Sequence, residues 1–269
     1  MSTPENSQGA VSEPAPKNSE KAKMMTRATA RHAAPFFLWI GIMLVANMMH
    51  LNESSATDDI GSLNLISDAS LYALRSAVCA IVLILLRPWK FYSRLNTKNI
   101  LPAVGLGLAV FLLWVGFETQ TFKHLMPGIA GLYEKWCVMP FGALREPVEY
   151  TPYAPAVCGW GMTALRLAGS AFVIAVIEEF FWRGCLIRCV RTPDFLDVDI
   201  GEFHAVSFLV VAGVFGFQHT EWLAGLVTGI AYGYFFIRSR DIWAVSIAHV
   251  TTNLALGIYV VATSSWQFW

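Results

Sequence analysis

An all-α, polytopic membrane bundle is the fold this sequence predicts, and three observations carry the prediction. Hydrophobic residues make up 55% of the 269-residue chain and charged residues only 14%, against about 25% charged in soluble domains. Mean hydropathy is +0.50 at zero net charge, so a soluble fold would expose far too much apolar surface. The apolar residues also fall into stretches of roughly twenty, the length a helix needs to cross a bilayer. No basic excess or basic-aromatic stripe argues for nucleic acid. Five cysteines without paired spacing do not make a disulfide framework; Cys185 and Cys189, one helical turn apart, read as small buried apolar residues.

Residues 1–31 are polar and rich in Ser, Pro, Lys and Glu, which predicts a disordered cytoplasmic tail ahead of a membrane-embedded helical domain at 32–269. The apolar stretch begins too late for a signal peptide, and no small-residue cleavage site follows it. Seven spans are expected, at about 34–51, 69–87, 100–118, 155–177, 204–219, 222–237 and 241–262. The fifth and sixth are short. The fourth continues as helix to about Val190, since nothing breaks it before Pro193. The long aromatic loop 119–154 has room for an interfacial helix. Gly225, Gly229 and Gly233 give span six a small residue at every fourth position, a ridge that lets a neighbouring backbone approach.

Basic residues set the orientation. Lys21, Lys23, Arg27 and Arg31 precede span one; Arg87, Lys90, Arg94 and Lys98 follow span two. Arg183, Arg188 and Arg191 follow the fourth apolar run, and Arg238 and Arg240 follow span six, while the loop at 52–68 holds four acids and no Lys or Arg. The N-terminus is therefore expected in the cytoplasm and the C-terminus outside.

Polar residues inside such spans are expensive and are functional candidates by default. Glu178 and Glu179 close the fourth apolar run. Glu179 and Arg183 stand four apart with the acid first, the favourable order for an ion pair, which leaves Glu178 without a local partner. His219 ends span five, and His249 and Asn253 share a helical face in span seven. Amide hydrolysis needs an activated water, a proton carrier and donors for the oxyanion. A desolvated Glu178 with a histidine suits the first two tasks, and the Asn253 amide suits the third. Glu178, His219 and His249 would equally make an open Zn2+ site, so zinc stays optional and no cofactor is certain. Arg75 and Arg166, also within apolar spans, are expected to snorkel or to pair with a buried acid, with binding of a substrate carboxylate as the sharper alternative.

Glu178-Glu179-Phe-Phe-Trp-Arg183, then Phe215-x-x-x-His219, then His249-x-x-x-Asn253 resemble the three signature motifs of the CPBP intramembrane proteases. These are also called the Abi or CAAX-protease family, bacterial relatives of the Ras-converting CAAX endopeptidase. The Gly-rich span six and the Arg238-x-x-x-Ile-Trp approach to span seven fit as well. The chain also resembles the subgroup associated with exosortase and PEP-CTERM sorting. The resemblance covers about residues 155–258, which it marks as a catalytic core. It implies Glu178 with His219 as water activators, His249 with Asn253 as oxyanion stabilisers, and Glu179 and Arg183 as support. It further implies a membrane-associated protein or peptide substrate, and a cavity open to the cytoplasmic side of a bacterial inner membrane. A non-catalytic scaffold or bacteriocin-immunity protein keeping the fold, and a proton-coupled transporter, are the competing readings. One tension runs through the set: counted from the cytoplasmic side at about 1.5 Å per residue, His219 lies roughly 22 Å deep, Glu178 roughly 18 Å and His249 roughly 12 Å. An upright span five would leave His219 too deep.

Overall fold

The computed structural model describes residues 17–54, 68–139, 142–146 and 148–269, and among these helix is the only regular structure. Helix α1 runs over Lys17–Ser54, α2 over Asp68–Leu86 and α3 over Ile100–Gly116. In the long loop, α4 (Gln120–Leu125) and α5 (Pro127–Tyr133) lead into a π-helical stretch at Glu134–Val138. The fourth span is built from α6 (Pro155–Ala168), α7 (Ala175–Phe181) and α8 (Ile187–Cys189), joined by π-helical stretches at Gly169–Ile174 and Trp182–Leu186. Helices α9 (Ala205–Phe217), α10 (Trp222–Ser239) and α11 (Ile242–Thr263) complete the bundle.

Among the described residues, five stretches are long and apolar enough to cross a membrane: Glu20–Met48, Asp68–Phe91, Thr97–Gly116, Pro155–Cys189 and Ile242–Thr263. The expected fifth and sixth spans are helices at the expected places but do not meet that standard. Helix α9 has 13 residues, about 20 Å against a hydrocarbon core of about 30 Å. Removing α9 and α10 as full crossings subtracts two, so the expected sidedness of every other loop is unchanged.

The described part of the expected tail is helical rather than disordered. From Lys17 the chain already belongs to α1, because its first turns have something to pack on. Met25 and Ala28 bury against Cys185 and Phe195, and Lys21 pairs with Asp194 at 3.3 Å and Asp197 at 2.6 Å. The polar composition describes an amphipathic helix seated on the turn after the fourth span. Residues 1–16, and the acidic stretch at 55–67, lie outside the described residues.

On the same basic side, Asp241 ties three elements together. One carboxylate oxygen caps α11 by accepting from Trp243 N (3.0 Å) and Ala244 N (3.3 Å). The other accepts from Asn96 N (2.9 Å) and Asn99 Nδ2 (3.1 Å) in the α2–α3 turn.

The glycine ridge of α10 faces α9, as its spacing predicts. A Cβ at Gly229 would fall 3.0 Å from Ala212 O, and one at Gly216 of α9 would fall 2.8 Å from Leu226 N. Two backbones at that separation exclude any larger residue. Helices α3 and α11 meet similarly, with Gly107 against the Ala248 carbonyl and Thr252 Oγ1 donating to Gly107 O at 2.7 Å. These contacts press α9, α10 and α11 around α7, where the two glutamates lie.

Candidate active site

Glu178, His219, His249 and Asn253 line one cavity of about 360 Å³. Three elements bring them there: α7, the turn after α9, and two successive turns of α11. Helix α9 runs over Ala205–Phe217, close to the expected bounds, so the residue count for His219 stands; His219 and Glu178 nonetheless line the same cavity.

The two glutamates have different surroundings. Glu179 is fully buried. Its Oε1 accepts from Arg183 Nη1 at 2.9 Å, the ion pair expected from the i, i+4 spacing. The same oxygen lies 2.8 Å from His249 Nδ1. An ionised carboxylate only accepts, so Nδ1 carries the proton and His249 is fixed with Nε2 facing the cavity. Arg183 is held in turn, its Nη2 donating to Gly229 O at 3.3 Å and its guanidinium lying 4.4 Å from the Phe215 ring centre. Glu179 thus orients one imidazole and neutralises one guanidinium.

Glu178 faces the cavity. Its Oε1 accepts from Gln218 Nε2 at 2.8 Å, and its Oε2 lies 3.8 Å from His249 Nε2, too long for a hydrogen bond. Gln218 is the residue that sequence reasoning missed. Its only signal was an amide at the end of an apolar span, beside the histidine that drew the eye. His219 donates Nδ1–H to Phe215 O at 2.7 Å, which leaves Nε2 without that proton. Its ring packs edge-on against Trp114 and tilted over Phe215.

Asn253 donates through Nδ2 to Ser170 O at 2.9 Å. Ser170 sits in the π-helical stretch Gly169–Ile174, where the widened turn releases a carbonyl from the ordinary ladder. The second π-helical stretch presents Gly184 O to Tyr92 Oη at 2.8 Å and to Arg188 Nε at 3.0 Å. Such bulges on both sides of Glu178 reshape a helix to serve side-chain partners instead of its own backbone.

Among the described residues no group of three His, Cys, Asp or Glu side chains is arranged to hold a metal ion. Glu178, His219 and His249 share the cavity without converging on one point at ligand distance, so no step is routed through zinc.

The cavity mouth lies at one end of the bundle. Tyr72 and Arg75 come from the start of α2, Arg166 from α6, Glu221 from the α9–α10 turn, and Gln267 and Trp269 from beyond α11. No residue of the Arg-rich turns at 87–94, 188–191 and 238–240 is among the cavity's lining.

A helical membrane protein with a buried carboxylate, two imidazoles and an amide around an open cavity has the form of an intramembrane hydrolase. Residues 160–255 match the family described as Type II CAAX prenyl endopeptidase Rce1-like; over that stretch the match supports the CPBP, or CAAX-protease, family and, at the level of the family, an intramembrane endopeptidase. No curated protein and no solved structure matches the chain.

Proposed function

We propose that the protein hydrolyses a peptide bond of a membrane-associated protein or peptide, with water activated by Glu178. The observation that carries this reading is the asymmetry of the glutamate pair. Glu179 is consumed by Arg183 and His249, whereas Glu178 keeps one oxygen on Gln218 and turns the other into the cavity. Gln218 fixes the orientation of the Glu178 carboxylate, so the base is positioned before water arrives. Glu178 takes the proton of the attacking water. That proton is then delivered to the leaving nitrogen, from the Glu178 carboxyl or by way of His219 Nε2, which is unprotonated in this tautomer and can accept it and hand it on. Asn253 supports the oxyanion with its remaining N–H, and His249 does so when both ring nitrogens carry protons.

With the basic turns inside, as their composition supports, a cavity lined by residues away from those turns would open to the non-cytoplasmic face. We therefore read the substrate as presented from that side.

The test is hydrolysis of quenched fluorescent apolar peptides by purified protein, with products identified by mass. Glu178→Ala is expected to abolish cleavage, a loss of about 10²–10⁴-fold for a general base, at unchanged abundance. Full activity in Glu178→Ala would end the reading. A second arm adds a chelator: loss of activity restored by added zinc assigns the water to a metal, and unchanged activity assigns it to Glu178 alone. The scaffold or immunity reading expects instead that Glu178→Gln keeps the full cellular phenotype.

A further inference from the structure

Two thiols that the proposed chemistry does not use meet just beyond Arg183. Cys185 Sγ and Cys189 Sγ are 3.3 Å apart, and both are free thiols. Cys185 stands in the π-helical stretch Trp182–Leu186, and Cys189 ends α8. Met25 and Ala28 of α1 pack on the pair together with Phe195. Cys185 is 2% exposed, whereas Cys189 is only partly buried. Burial as a small apolar residue accounts for Cys185. It does not account for a second, more accessible sulfur in contact with it.

The turn that carries the pair is tied to the rest of the bundle. Gly184 O, one residue before Cys185, accepts from Tyr92 Oη at 2.8 Å and from Arg188 Nε at 3.0 Å. Tyr92 Oη in turn meets His32 Nε2 of α1 at 2.9 Å. Arg183, two residues before Cys185, holds Glu179, and Glu179 orients His249. Cβ atoms four residues apart on a helix stand about 5–6 Å apart, whereas a disulfide needs about 3.5–4.5 Å. Bridging the two sulfurs therefore tightens this turn by about an ångström or more.

We propose that Cys185 and Cys189 form a reversible redox modification site, a dithiol that peroxide closes to a disulfide, lowering cleavage. The effect on cleavage rests on the reading of the cavity as a peptide site; the bridge does not. The more accessible Cys189 sulfur attacks one peroxide oxygen. An S–O bond forms as the O–O bond breaks, leaving a sulfenic acid, and the other oxygen departs with the thiol proton as water. Cys185 sulfur then attacks Cys189 sulfur, forming the S–S bond and expelling the sulfenic oxygen as a second water. Two thiols lose two electrons, one peroxide gains them, and a dithiol reductant reverses the change. The basic turn at 188–191 supports a cytoplasmic setting. Thiols are held reduced there, so the bridge is an event rather than a permanent link.

The test uses full-length protein in detergent, treated with a small excess of hydrogen peroxide, alkylated with iodoacetamide in denaturant and digested with trypsin. Cutting after Arg183, Arg188 and Arg191 puts the two cysteines on separate peptides, 184–188 and 189–191. These are expected to be recovered joined, and to be recovered separate and alkylated when dithiothreitol follows the peroxide. Turnover of a quenched peptide is expected to fall about ten- to a hundredfold, the scale of a displacement of about 1 Å near an active site. Dithiothreitol is expected to restore it. Cys185→Ser and Cys189→Ser are each expected to keep wild-type turnover and to lose the response to peroxide. Peptides recovered separate and alkylated after peroxide overturn the site, as does Cys189 carried on to a sulfinic acid without bridging; neither result needs a variant to fold. A joined pair with unchanged turnover overturns it as well, and so does a peroxide response that persists in either variant. Bridging is also expected to shift the unfolding temperature. Joined peptides and a shifted melt in a protein that cleaves nothing would therefore sink the endopeptidase reading alone.

Discussion

Glu178 and Glu179 are neighbours in sequence, yet they answer to different physics. Glu179 is a buried acid shared by Arg183 and His249, and removing one member of a buried pair strands the other charge. Glu179→Ala is expected to cost about 3–5 kcal/mol, seen as a large fall in the detergent unfolding temperature and in membrane abundance. Glu178→Gln replaces one acceptor of the Gln218 amide by another. It is expected to leave the unfolding temperature within a degree or two of wild type while cleavage is lost. Equal destabilisation by the two substitutions would show that the roles are not divided in this way. The ion pair was legible from the i, i+4 spacing alone. Gln218 was not, because its partner lies forty residues away and on another helix.

Among the elements, α9 and α10 decide whether the site assembles. Their axes approach so closely that Gly216 has no room for a side chain. Gly216→Val is expected to destabilise the protein by about 1–3 kcal/mol through overpacking. It should also lower cleavage by shifting His219, as measured by unfolding temperature and peptide turnover on one preparation. The mouth of the site is braced by a second element. Arg145 of the long loop bridges Glu118, just past α3, and Glu221, at the start of α10. Burial raises the Glu118 carboxyl above its usual range, opposed by Arg145. A carboxyl raised in the folded state takes up a proton on folding, so its contribution favours the fold as pH falls. Arg145→Gln removes the opposing cation. The variant is expected to unfold several degrees below wild type at pH 8 and to recover as pH drops towards 5, followed by thermal melts across that range. A gap that stays constant with pH would show that the two acids do not depend on Arg145.

For the whole molecule, the open question of sidedness has a direct measurement. The basic turns take no part in the cavity's lining, so one labelling experiment places both. With Cys137 and Cys158 replaced by Ser, His124→Cys in α4 is expected to react with an impermeant maleimide on intact cells. Lys90→Cys, in the turn after α2, is expected to react only after permeabilisation. The reverse pattern would put the cavity mouth in the cytoplasm and overrule the charge bias.

Much of this protein could be read from its residues in order. Helical class, the positions of the helices, the basic ends and the polar set Glu178, Glu179, Arg183, His219, His249 and Asn253 all depend on local composition and on the 3.6-residue period, which any short window contains. Tertiary structure alone decided the rest. It seated the first turns of α1 on Phe195, brought His219 into one cavity with Glu178, and supplied Gln218 to Glu178. It also kept the Arg-rich turns out of the cavity's lining and brought Arg75 and Arg166 into it. Each of these depends on where helices far apart in the chain cross and how closely glycine lets them approach, and that information is held in pairs of distant residues rather than in any single stretch.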